Sequence, residues 1–195
     1  MAGAAPSHRP HLQALGLDTA TVDALARYLD LLAAWSSRVN LTGARTPAGR
    51  VSLLVAPVLP AAPLPAPGRL IDVGSGNGSP GLVLALLRPA LQATLLEPRQ
   101  KRWAFLREAA RAAGRPDIAV RRERHDAYPG PPADTVTLRA LALPLGALAP
   151  LLATGGRVLV FGPAPGRTEG WLEEPSAAGL HRYSREPWRR GDVPR

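Results

Sequence analysis

Residues 70–81 of the chain read Leu-Ile-Asp-Val-Gly-Ser-Gly-Asn-Gly-Ser-Pro-Gly. Glycines as close as Gly74, Gly76, Gly78 and Gly81 let a backbone turn tightly and approach a ligand with no Cβ in the way. An acid ends the apolar run ahead of them, Asp72, and another ends the next run, Glu97 in Thr94-Leu-Leu-Glu. A carboxylate at position 97 can accept both hydroxyls of a ribose. The acid at position 72 suits the cationic amino-acid end of S-adenosylmethionine. Gly76, Gly78 and Gly81 also satisfy the G-x-G-x-x-G of dinucleotide binders, a pattern weak in isolation. Pro80, however, lies where a helix presenting amides to a pyrophosphate would begin. S-adenosylmethionine is therefore the favoured cofactor, with a nicotinamide dinucleotide as the alternative.

Two further groups could do chemistry. The run Arg121-Arg-Glu-Arg-His125-Asp126 follows a third apolar run, where a carboxylate or backbone groups can receive an exocyclic adenine amine; it also reads as a solvated charged turn. Arg139 ends a fourth run, where ligands collect in open α/β sheets, and its planar donor fork could orient a base or a cofactor. Its alternative is a surface ion pair. His8, His11 and His181 lie in the tails and read as solvated. The chain has no cysteine, so thiolate catalysis and Cys-ligated zinc are excluded, and no metal cluster is visible.

The elements that must position these residues follow from periodicity. Residues 19–37 carry Val22, Leu25, Leu29 and Leu32 at helical spacing, with Thr19 or Thr21 as the cap. A second helix is predicted from Pro47, and the proline-rich stretch 57–68 is a connector. Beyond it, apolar runs at 70–73, 93–96, 118–120, 135–138 and 157–161 alternate with helix-like segments at 81–87, 100–113 and 145–152. That alternation predicts an α/β fold, Rossmann-like and doubly wound, with a mostly parallel sheet covered on both faces. A helical segment and connector at 1–66 precede a sheet domain at 67–195. After Gly162 one further strand is expected, near Leu180–Tyr183, and the tail reads as too short and polar for a complete final strand pair.

Composition sets the class. The 195 residues are 46% hydrophobic and 20% charged, which is globular. No apolar run reaches the length a bilayer needs, and a soluble cytoplasmic protein is expected. The net charge of +9 favours a polyanionic partner. Lys101 is the one lysine among 24 basic residues, so much of the charge reflects an arginine-, alanine- and proline-rich composition. Trp35 and Trp103 fall at helical spacing and read as core; Trp188-Arg-Arg could touch phosphate.

Taken together, four segments resemble the RsmG (GidB) family of small-subunit ribosomal RNA methyltransferases. They are Tyr28–Thr42 with its Asn40-Leu41-Thr42 exit, the loop Asp72–Gly81, Glu97-Pro-Arg-Gln-Lys101-Arg102-Trp-Ala-Phe105-Leu106, and Thr137-Leu-Arg139-Ala140. The resemblance implies one methyltransferase domain with a helical N-terminal extension, transferring a methyl group from S-adenosylmethionine to N7 of a guanine in ribosomal RNA or the small subunit. By position it implies that Gly74, Ser79, His125 with Asp126, and Arg139 contact the cofactor, and that Lys101 and Arg102 lie near the RNA. The chain departs from the family pattern at Ser79, usually a larger apolar residue. It also has Leu54 and Pro57 in place of a His and an Asp, and Gly162-Pro163 in place of Lys-Gly. These changes keep open a methyltransferase acting on another RNA or a small molecule, or a cofactor- or RNA-binding protein without catalysis.

Overall fold

The computed structural model describes residues 7–65, 67–165 and 169–185. The five apolar runs become parallel strands: β1 (Arg69–Val73), β2 (Gln92–Leu96), β3 (Ala119–Arg121), β4 (Ala133–Arg139) and β5 (Leu152–Phe161). Two more, β6 (Trp171–Glu174) and β7 (Leu180–Arg185), complete a seven-stranded sheet in the order β3-β2-β1-β4-β5-β7-β6. Side chains alternate between its faces. Leu70, Leu95, Leu159 and Phe161 point to one core, and Ile71, Leu96, Val158 and Val160 to the other.

The first face is helical. On it pack α1 (Arg9–Gln13), α2 (Thr19–Trp35), α3 (Pro47–Leu54), α4 (Gly81–Leu87) and α5 (Gln100–Ala112). Buried Leu25, Leu29 and Leu32 of α2 share one continuous core with Leu82 and Leu84 of α4 and Phe105 of α5. Trp35 meets Phe105 edge to face, with centroids 5.7 Å apart. Trp35 packs against this core, as its spacing suggested, whereas Trp103 lies outside both cores and donates from Nε1 to the Val120 carbonyl at 3.1 Å.

The second face is thinner than a fully wound sheet. Leu145, Leu148 and Leu151 cover it from a 3-10 helix at Leu145–Leu151, where the pattern had suggested an α-helix. Pro150 removes an amide from that segment and Gly146 weakens helical propensity.

Three other expectations are corrected. The final strand pair is complete: β7 runs antiparallel to both β5 and β6. Its apolar signal is slight because only Leu180 and Tyr183 are buried, one on each face. Ion pairs hold the rest, with Arg182 2.7 Å and Arg157 3.6 Å from Glu174. The cap of α2 is Asp18, which accepts the Thr21 amide at 3.0 Å and holds its carboxyl below the usual range through the Thr21 hydroxyl. His8 is not solvated. Leu12 seats α1 against α2, which buries His8 with Nδ1 2.5 Å from the Asp30 carboxylate. His11 is exposed, and His181 sits in β7, 2.9 Å from Glu173. Trp188 lies outside the described residues.

Candidate active site

The strand order reverses between β1 and β4, and in open α/β sheets the crevice at such a reversal collects ligands. The glycine loop fills this place. Gly74, Gly76 and Gly78 have φ of +69°, +52° and +97°, a left-handed alternation that explains their two-residue spacing. Gly81 answers a different need. A Cβ there would stand 2.3 Å from the Cβ of Asp72, so the start of α4 can settle on β1 only without one.

Loop and helices are tied together by polar contacts. The fully buried Tyr28 of α2 donates its hydroxyl to the Asn77 carbonyl at 2.9 Å, and burial raises its pKa. Asn77 donates from Nδ2 to the Leu41 carbonyl at 3.0 Å, and its Oδ1 accepts the Ser79 amide at 3.0 Å. The Asn40-Leu41-Thr42 segment is thereby drawn across the mouth of the crevice.

A cavity of about 620 Å³ lies there, within the range of small-molecule sites. Gly74, Gly76, Ser79, Glu97, Arg102, His125 and Arg139 all line it. Glu97 is 3% exposed; its two oxygens accept the amides of Gly76 at 3.0 Å and Arg99 at 2.8 Å. Each carboxylate oxygen has a second lone pair to offer.

Four sequence candidates stand elsewhere. Asp72 is wholly buried behind the loop and does not line the cavity. Its Oδ1 accepts the Thr137 hydroxyl at 2.6 Å and its Oδ2 has no partner among the described residues. Burial pushes its pKa up to about 6, against the pull of the Thr137 and Ser75 hydroxyls and the Gly81 amide. Asp72 thus braces β1 to β4. Gly78 is packed beneath the loop, facing Tyr28 and Leu82. Asp126 turns to solvent and pairs with Arg124 at 3.0 Å. Lys101 is exposed on α5 outside the cavity, whereas Arg102 lines it and donates to the Asn40 carbonyl at 3.1 Å.

Arg139 is half-buried and forms no ion pair among the described residues. Its Nη1 donates to the Ser79 hydroxyl and its Nη2 to the Leu53 carbonyl, each at 2.9 Å. The next residue, Ala140, has φ +51°, which costs an L-residue about 1–2 kcal/mol. The turn brings Leu141 over the loop, its Cδ2 3.0 Å from where a Cβ on Gly74 would sit.

Sequence reasoning missed Glu123, Leu141 and the Leu41–Gly43 segment as cavity residues. Glu123 keeps one buried carboxylate oxygen without a partner among the described residues. It lay inside the charged run already singled out, and only its direction was hidden.

The family described as rRNA small subunit methyltransferase G (GidB) matches residues 21–162. The chain belongs to this family. It is 42% identical over 149 residues to a Ribosomal RNA small subunit methyltransferase G of Xanthomonas oryzae pv. oryzae, covering 76% of this chain and 68% of that protein. Over 183 residues it is 37% identical to one of Xanthomonas campestris pv. campestris, covering 93% and 82%. Among solved structures, Putative methyltransferase yhhF from Escherichia coli superposes with a TM-score of 0.53 at 19% identity, covering 65% of this chain and 82% of that one. TrmN from Thermus thermophilus gives 0.53 at 24%, covering 82% and 52%. At these identities the superpositions establish a shared methyltransferase-type α/β fold.

The departures from the GidB pattern can now be placed. The Ser79 hydroxyl accepts from Arg139 and donates to the Leu54 carbonyl at 2.8 Å. Its hydroxyl therefore replaces apolar bulk with a link between two site residues. Leu54 is buried and lines the cavity, so an apolar wall stands where the resemblance led to the expectation of a His. Pro57 lies exposed in the 3-10 turn Ala56–Ala61. Gly162 has φ +122° and donates to the Gly179 carbonyl at 3.0 Å, starting the connection to β6.

Proposed function

We propose that this chain is an S-adenosylmethionine-dependent methyltransferase acting on N7 of a guanine in small-subunit ribosomal RNA. The observation that carries this reading is the Glu97 carboxylate lining the loop cavity, inside residues 21–162 that match the GidB family. The residues fit the cofactor. Glu97 has lone pairs left for two ribose hydroxyls. Glu123 has a buried acceptor for an adenine amine, and the left-handed Gly74 lines the cavity with backbone alone. His125 lines the same side.

When bound, S-adenosylmethionine supplies an electrophilic methyl group on a sulfonium. The chain's own task is alignment, the main requirement of an in-line displacement. Guanine N7 has a free lone pair at neutral pH, so no general base is needed. Arg139 acts as the catalytic residue. Anchored by Ser79 and Leu53, its guanidinium holds the end of β4 against the loop at the cavity wall. Lys101 and Arg102, at the start of α5, meet RNA phosphate, and Arg102 also secures the Asn40–Thr42 segment.

Among the described residues no helix is long and apolar enough to cross a membrane. We place the protein in the cytoplasm beside its ribosomal substrate, with residues 1–66 as a helical extension and 67–195 as the methyltransferase domain. The deciding experiment incubates purified protein with small ribosomal subunits and methyl-labelled cofactor, then analyses the RNA by mass spectrometry. One N7-methylguanine is expected. Label confined to another base, or no label in free or assembled RNA, refutes the assignment.

A further inference from the structure

Ion pairs take up cations in several parts of the fold: Arg9 with Asp23, Arg115 with Asp117, Arg124 with Asp126, and Arg157 and Arg182 with Glu174. Along α5 and at the end of β3 they do not. Arg99, Lys101, Arg107, Arg111, Arg121 and Arg122 are exposed, and none forms an ion pair among the described residues. Glu108, half-buried, is the one carboxylate on α5. Unmatched like charges on one face raise the local potential and draw a polyanion.

These cations are ordered. Arg99 stands at the N-terminal cap of α5 and lines the loop cavity; Trp103, Arg107 and Arg111 follow at four-residue steps, the spacing of neighbours on a helix surface. The row runs for about 18 Å from the cavity mouth along the helix. The Arg107 guanidinium lies over the Trp103 ring, 4.9 Å from its centre. The Trp103 Nε1 bond to the Val120 carbonyl ties the row to the edge strand β3, which ends in Arg121 and Arg122. Acidic proteins and anionic membranes need only the charge. Unpaired RNA uses both features, since its phosphates meet the cations and its bases stack on aromatic rings or guanidinium planes.

We infer that the outer side of α5 and the end of β3 form a second RNA contact, outside the methyl-transfer cavity: Arg107, Arg111 and Arg122 take phosphates of an unpaired strand that runs on from the cavity mouth, and the Arg107–Trp103 pair receives one of its bases. The inference rests on the RNA substrate proposed above. It gives the row the docking of the strand and no part in choosing the methylated base.

The test uses the full chain saturated with S-adenosylhomocysteine and a short, unstructured, fluorescent RNA, with binding read by anisotropy across a salt series. Arg107→Ala, Arg111→Ala and Arg122→Ala combined should weaken binding about tenfold or more and lower the slope of log K against log salt by about 2, three contacts at the single-strand value. All three side chains are exposed, so the thermal unfolding transition should be kept. Arg69→Ala, which removes an exposed cation at the start of β1, should leave affinity and slope unchanged. Arg107→Lys keeps the charge and loses the plane, so RNA should bind more weakly while heparin, a polyanion without bases, binds as before. With small subunits the triple variant should raise KM about tenfold or more and leave kcat near wild type. A wild type that binds no RNA, a triple variant that binds it as wild type does, or an equal loss in Arg69→Ala overturns the surface. Polyglutamate or phosphatidylserine vesicles that compete as well as RNA overturn the choice of partner. Binding is read without turnover, so a wild type that binds through this row yet methylates no RNA strikes the functional reading alone.

Discussion

The Arg139 guanidinium and the Ser79 hydroxyl are hydrogen-bonded at 2.9 Å, joining the end of β4 to a glycine loop 60 residues earlier in the chain. Ser79 in turn donates to the Leu54 carbonyl, and Arg139 to that of Leu53. Sheet, loop and α3 thus meet at one guanidinium. Arg139→Ala should lower methyl transfer by about tenfold or more with the thermal unfolding transition retained. Arg139→Lys should recover only part, because one ammonium cannot span Ser79 and Leu53 as a planar fork does. Initial rates with labelled cofactor and small subunits check both; full activity in Arg139→Ala would remove it from the mechanism.

Under the proposed function Glu97 holds the cofactor ribose. Glu97→Ala should weaken binding of S-adenosylmethionine by about 1.5–3 kcal/mol, the range for hydrogen bonds to a charged acceptor. It also frees the amides of Gly76 and Arg99, so Glu97→Gln, which keeps one acceptor oxygen, should fall between. Titration calorimetry reads the series, and an affinity that does not respond excludes Glu97 from the ribose site.

Tyr28 links α2 to the glycine loop through its hydroxyl. Tyr28→Phe leaves the Asn77 carbonyl without its donor and should cost about 1 kcal/mol of stability. Cofactor affinity should fall as well, since Asn77 sets the loop's path. Chemical denaturation together with calorimetry tests this. Lost stability with unaltered affinity would make the contact purely structural.

Asp72 predicts a pH effect. Its native pKa of about 6 lies above the usual 3.8, so between those values the native state holds a proton that the unfolded chain has released. Stability from this group is full below pH 3.8 and falls as pH rises toward 6, by on the order of 2 kcal/mol. In Asp72→Asn that slope should vanish, so the variant gains on wild type as pH rises. Urea denaturation at pH 4, 5, 6 and 7.5 measures the difference, and parallel pH profiles would contradict it.

RNA contact has its own signature. Affinity for small-subunit RNA should drop steeply with salt, and Lys101→Ala should reduce the slope of log K against log salt by about one. Binding that ignores salt would point to a small-molecule substrate.

Much of this protein is legible in its sequence. The five parallel strands, α2, the loop and Glu97 are written in local terms. Buried parallel strands read as short apolar runs, and glycines at two-residue steps mark the left-handed turns that only they take without cost. What the local pattern could not say is where a side chain ends up. Asp72 sits at the end of β1 as Glu97 stands just past β2, yet one is sealed behind Gly81 and the other lines the cavity. Within one charged run, Glu123 turns inward and Asp126 outward to Arg124. The strand pair β6–β7, with one buried residue for each face, shows no period to detect. Tyr28 and Asn77, 49 residues apart, become partners only once α2 has packed beneath the loop. Sequence alone determined the elements and the chemistry they carry, because dihedral preference and apolar period act between near neighbours. Tertiary structure decided which carboxylates line the cavity, because burial and direction depend on groups brought together from distant parts of the chain.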